Sequence, residues 1–216
     1  VDTTKKIIWV LVVALFPLVG LIGRSSVNNG FAMQPPPIRH EWITNEGSRV
    51  TIRPIQPEDR EIERAFVSGL SSNSKYLRFF SAIKELSPQM LDRFTQVDYP
   101  REMALIATVQ SETTELEIGV ARYAPGGFEN SAEFAVVVAD DWQGRGIARE
   151  LLRHLFSVAE DSGFKRIEGI VLRANKNMLL LCRDLGFTIS RYPDDAGLVC
   201  VRKELKTTET NTQRTI

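Results

Sequence analysis

The chain has 216 residues, 43% hydrophobic and 25% charged, which fits one globular domain with extensions. Its 27 Lys and Arg balance 27 Asp and Glu, so no excess of positive charge argues for nucleic acid as a partner. Two cysteines, Cys182 and Cys200, are too few for a disulfide framework, and neither they nor His40 and His154 have metal-ligand spacing, so no metal is expected.

In chain order, Lys5 and Lys6 precede an uncharged run, Ile7–Gly23, that Arg24 ends. Its length and flanks suit a signal-peptide apolar region or a short anchor, and Gly30 and Ala32 would suit a cleavage site before Met33. Residues 33–48 read as a linker, stiffened by Pro35, Pro36 and Pro37, with a turn at Asn45-Glu46-Gly47.

A regular pattern begins at Arg49 and runs to Leu205. Val50–Arg53 alternates as a strand, and Pro57-Glu58-Asp59 opens a helix with Ile62, Ala65, Phe66 and Leu70 on one face. Ser71–Ile83 reads as a second helical stretch, and Ser87-Pro88 caps a third. Met103–Val109, Glu115–Tyr123 and Ala132–Ala139 are strands, the last an almost uninterrupted apolar run. Gly146–Asp161 is an amphipathic helix; a strand (Arg166–Leu172), a helix (Lys176–Asp184) and a strand (Leu198–Glu204) follow. Residues 206–216 are polar, Thr-rich and expected to be disordered. This order predicts an α/β fold: a mixed sheet with helices on both faces, in which Ala132–Leu172 is a parallel β-α-β unit.

The chemistry concentrates in Asp141-Trp142-Gln143-Gly144-Arg145-Gly146-Ile147-Ala148, which joins a buried strand directly to a helix. Two glycines allow a tight turn and leave backbone N–H groups uncovered at the positive end of the helix, a site for a pyrophosphate. Arg145 and Arg149, four apart, would add charge on the same side. The segment is neither a GxxxxGK[ST] nor a GxGxxG loop. Upstream, Glu133 sits in AEFAVVVA, where a carboxylate is costly unless it has a partner or a task, and where burial would raise its pKa toward the range of a base.

QGRGIA after a buried strand resembles the acetyl-CoA motif Q/R-x-x-G-x-G/A of the GNAT N-acetyltransferases. Asn175, the helix after it and Leu185-Gly186-Phe187 resemble that family's second signature, about thirty residues on. The resemblance covers 49–205 and implies a GNAT fold, a mostly antiparallel sheet with one parallel unit, and transfer of an acetyl group from acetyl-CoA to an amine. It implies that the backbone amides of Gln143, Gly144, Arg145, Gly146, Ile147 and Ala148 hold the CoA pyrophosphate. It places Val136, Val137 and Val138 beside the pantetheine arm, Asn175 near the pantetheine end, and Glu133 as general base. Many members carry a Tyr on the last helix as general acid; Cys182 stands here instead, which leaves the acid open.

Gly69–Ala107, taken with AEFAVVVADDWQGRGIA, is further similar to the acetyltransferase domain of bacterial protein lysine acetyltransferases that modify acyl-CoA synthetases. A protein lysine is therefore the expected acceptor and an acyl-CoA synthetase the expected partner. A small amine in a deep acid-lined pocket, or acyl-CoA binding without turnover, are the alternatives. Acetyl-CoA is a cytoplasmic metabolite, the chain begins with Val1, and Met33 is its first Met. The expectation is therefore a start at Met33, an upstream segment, 1–32, that is a start-site artefact, and a cytoplasmic domain. A membrane anchor through Ile7–Gly23 is the alternative.

Overall fold

The computed structural model describes residues 37–81, 85–112 and 114–206. Eight strands form one sheet: β1 (His40–Ile43), β2 (Arg49–Pro54), β3 (Met103–Ser111), β4 (Thr114–Pro125), β5 (Ser131–Val138), β6 (Arg166–Leu172), β7 (Thr188–Arg191) and β8 (Leu198–Glu204). Their order across the sheet is β1-β2-β3-β4-β5-β6-β8-β7. Every neighbouring pair is antiparallel except β5 and β6, which are parallel as expected for a β-α-β unit. The helices are α1 (Arg60–Gly69), α2 (Ser72–Phe79), α3 (Pro88–Thr95), α4 (Ile147–Asp161) and α5 (Lys176–Asp184).

The apolar run of β3 has no polar face because it is covered on both sides. Successive side chains of a strand point to opposite faces. Met103, Leu105 and Ala107 join one core cluster, with Leu151, Leu152 and Leu155 of α4. Ala104 and Ile106 join another, with Phe66 and Val67 of α1 and Leu91 and Phe94 of α3. β4 divides in the same way: Ala121 and Tyr123 face α4, and Val120 faces α1 and α3.

Local chemistry fixes the helix starts. The hydroxyl of Ser71 accepts from the N–H of Ser74, and that of Ser87 from the N–H of Met90, closing α2 and α3 at their N-termini. α2 ends earlier than the sequence pattern implies, because Phe80 turns into the left-handed region (φ 54°); Ile83 lies outside the described residues.

Two strands have no counterpart in the sequence pattern. β1 falls within the stretch read as linker, and β7 precedes the expected last strand. Each has four residues at an edge of the sheet, too short for alternation to show. Among the described residues no helix is long and apolar enough to cross a membrane. The Ile7–Gly23 run, residues 33–36 and the tail beyond Lys206 lie outside the described residues.

Candidate active site

The turn between β5 and α4 is built around backbone geometry that favours glycine. Gly144 (φ +78°) and Gly146 (φ +86°) are left-handed, and a Cβ on either would meet nothing within 4 Å, so conformation rather than crowding calls for glycine. Gly146 is the N-cap of α4, and its carbonyl accepts from the N–H of Glu150. The first-turn N–H groups of α4 have no acceptor within the helix. They sit at its positive end, the arrangement that binds phosphate oxygens. Gln143 stands slightly apart from this set. Its N–H is directed at Asp140 O (3.3 Å), and its side-chain amide donates to Val138 O (3.1 Å) and Ser74 Oγ (3.3 Å).

A cleft of about 630 Å³ opens from this turn along β5 and between β5 and β6. Its wall brings together Glu133, Val136, Val137, Val138, Gln143, Gly144, Gly146, Ile147, Ala148 and Asn175. Of the residues expected at the site, Arg145 does not line it. The Arg145 guanidinium lies 4.8 Å over the Trp142 ring and 3.6 Å from Glu46, whereas Arg149 is in the wall and bonds to Asp184 (2.7 Å). Only one of the two arginines read as flanking the phosphate site therefore faces it.

The parallel ladder between β5 and β6 runs from Ser131/Arg166 to Glu133/Glu168 and goes no further. Beyond it, Phe134 to Val138 keep their β4 partners but have no ladder on the β6 side. This exposes a row of backbone donors and acceptors to the cleft, a template for an extended ligand.

Glu133 sits where that ladder ends. Burial, and then the carboxylate of Glu168 on the next strand, push its pKa up to about 7, while the guanidinium of Arg78 pulls it back. Glu168 is itself held by Arg202 (3.3 Å). Arg78, from α2, is buried, lines the cleft and stacks on Phe79 at 5.0 Å. Burial first, and then the nearby Arg122, pull its own pKa down to about 10.

Asn175 caps α5, its Oδ1 accepting from the N–H of Met178 (3.1 Å), and so enters the wall as a helix N-cap. Cys182 is fully buried in the core, does not line the cleft, and is pushed up to about 12 by burial. A thiol so placed offers no acid to a leaving group in the cleft.

Four participants escape sequence reading: Ser71, Ser74, Asp140 and Arg78. Asp140, just after β5, accepts from the N–H and hydroxyl of Ser71 and from the hydroxyl of Ser74. Burial would raise its pKa, but these bonds win and hold it below the usual carboxylate range. The result pins α2 to the glycine turn. Asp140 and Ser71 are 69 positions apart, and no local pattern marks such a pair.

Residues 49–188 match the family model described as the acetyltransferase (GNAT) domain. Acetyltransferase PA5475 of Pseudomonas aeruginosa is 41% identical over 166 residues, covering 76% of this chain and 89% of that protein. Acetyltransferase Pat of Mycolicibacterium smegmatis is 29% identical over 161 residues, 74% of this chain, and the chain spans only 46% of that relative. Among solved structures, the GNAT domain of S. lividans PAT matches with a TM-score of 0.72 and 31% identity, covering 80% of this chain and all of that one.

Proposed function

The chain belongs to the GNAT acetyltransferase family, and from that premise we propose that it moves the acetyl group of acetyl-CoA to the side-chain amine of a lysine on a protein, with Glu133 as general base. The observation that carries this reading is the position of Glu133. It is a carboxylate poised near neutrality, in the wall of one cleft with the phosphate-binding turn and the open edge of β5.

The division of labour follows from the residues. The first-turn amides of α4 and the left-handed glycines hold the pyrophosphate, and Arg149 adds charge at that end. The open edge of β5, at Val136 to Val138, pairs with the amides of the pantetheine arm and sets the thioester near Glu133. A lysine amine with a pKa near 10.4 reaches the cleft charged. The Glu133 carboxylate takes one proton from it, and the neutral amine attacks the carbonyl carbon. The C–S bond breaks as the C–N bond is completed, the second proton passes from the nitrogen to the departing thiolate, and CoA leaves as a thiol. CoA thiolate is a good leaving group, so the step proceeds without Cys182.

The lining of the cleft supports a protein substrate. The acidic side chains of its wall are Glu133 and Asp184, and Asp184 is paired with Arg149. A small polyamine would find little negative charge there. The rim is apolar and open instead: Leu77 and Phe80 line it, Leu180 is 58% exposed, and nearby Tyr76 on α2 is 49% exposed. The resemblance of Gly69–Ala107 to bacterial protein lysine acetyltransferases supports the same direction.

The test is to incubate the chain with acetyl-CoA and an acyl-CoA synthetase, follow free CoA, and map acetyl-lysine by mass spectrometry. The expected result is site-specific acetylation that Glu133→Gln lowers by about 10²–10⁴ in kcat while acetyl-CoA binding persists. Acetyl-CoA binding with hydrolysis or small-amine acetylation alone would overturn the protein acceptor. Full activity in Glu133→Gln would overturn the base.

A further inference from the structure

Outside the cleft, the chemistry-bearing side chains converge at one other place. Among the described residues, His40, Glu150 and His154 form the one group of His, Cys, Asp and Glu side chains whose ligand atoms come close enough together to share an ion. The three atoms all lie within 4.8 Å of one another, and all three residues are half-buried. None of the three lines the cleft. Glu150 and His154 are four apart on α4 and share a face, as the helical repeat requires. His40 comes from β1, and its ring lies 4.6 Å from that of His154.

We propose that His40, Glu150 and His154 bind a divalent transition-metal ion, with zinc as the occupant that this ligand set favours, and that the ion ties β1 to α4. Two imidazoles and a carboxylate are a borderline nitrogen-oxygen donor set, which selects zinc over magnesium or calcium. Three protein ligands leave the fourth tetrahedral position to water. Zinc bonds of about 2.0–2.1 Å place neighbouring ligand atoms about 3.4 Å apart. Since the atoms lie within 4.8 Å, closing to that spacing requires at most about 1.4 Å of movement, within the reach of side-chain rotation on a fixed backbone. The nearest competitor is Arg153, 3.5 Å from Glu150; its side chain is 61% exposed, and such a pair contributes little and gives way readily.

The location gives the ion a consequence. α4 carries the glycine turn at its N-terminus, and Glu46, in the turn after β1, already reaches Arg145 in that turn at 3.6 Å. A metal at His40, Glu150 and His154 is a second tie between the β1–β2 hairpin and the same helix.

The test is zinc binding to the tag-free chain, by isothermal titration with zinc chloride and by the visible spectrum of the cobalt-substituted protein. The expected result is saturable binding of about one ion per chain at micromolar or lower concentration, with a tetrahedral cobalt spectrum. His40→Ala, His154→Ala and Glu150→Gln each weaken zinc by at least about tenfold, and Glu133→Gln does not. Glu150→Gln changes one half-exposed side chain, so it reports even where a histidine variant misfolds. Zinc affinity unchanged in Glu150→Gln and both histidine variants, or no saturable binding below about 1 mM, overturns the site. None of these readouts depends on acetyl transfer, so this proposal and the assigned activity fail separately.

Discussion

Glu133 is balanced between two neighbours that act in opposite directions. Burial and Glu168 favour its neutral form, and Arg78 favours the carboxylate. A base works only when deprotonated, so kcat/KM is expected to rise with pH and level off above about 7. Glu168→Gln removes a negative neighbour and makes the carboxylate easier to form. The midpoint of the rise is then expected to move to lower pH while the plateau rate changes little, measured as a pH profile of initial rates. A profile superimposable on the wild type would show that Glu168 does not act on Glu133. Sequence reading found Glu133 because a lone carboxylate in AEFAVVVA is conspicuous. Glu168 and Arg78 do not stand out, because a glutamate in a half-exposed strand and an arginine on a helix are ordinary until packing sets them near Glu133.

At the scale of elements, the glycine turn and α2 are mechanically joined. Gly146 is left-handed with open space around it, so Gly146→Ala meets no clash and is disfavoured by backbone conformation alone, by about 1 kcal/mol. The amides it orients move with it. Acetyl-CoA binding, followed by calorimetry, is expected to weaken about tenfold, with only a small fall in melting temperature. Asp140 acts on the other partner. Asp140→Ala deletes three hydrogen bonds to the N-cap and first turn of α2, at about 1–2 kcal/mol. Under the proposed function α2 borders the acceptor side, so KM for the protein acceptor is expected to rise more than KM for acetyl-CoA. Equal changes in both would place Asp140 in the turn alone.

At the scale of the whole molecule, a second buried carboxyl sits under the sheet. Glu63 of α1 bonds to Arg122 at 2.9 Å, and both are buried. Glu63 Oε2 and both carboxylate oxygens of Glu117 find no donor. Burial first, and then Glu63, push the Glu117 pKa well above its usual range, which favours the protonated carboxyl in the folded chain. The unfolded chain loses that proton above about pH 4.3. Stability therefore falls as pH rises from the unfolded value toward the raised folded one. Glu117→Gln keeps the donor without the titration. Its melting temperature, relative to the wild type, is expected to climb between pH 5 and pH 8. A constant difference would show that Glu117 is ionised in both states.

The sequence by itself determined the order of elements, the glycine turn between β5 and α4, the parallel unit and the identity of the candidate base. Each of these rests on short-range physics: side-chain period, glycine's access to positive φ, and the cost of a charge in an apolar strand. The tertiary structure alone decided which residues meet. It added β1 and β7, edge strands too short to show a period. It turned Arg145 onto Trp142 and away from the cleft, and withdrew Cys182 into the core. It also set Arg78 beside Glu133, and His40 beside Glu150 and His154. These pairings join positions tens of residues apart through the packing of helices on the sheet, and no local pattern encodes which distant side chains that packing brings together.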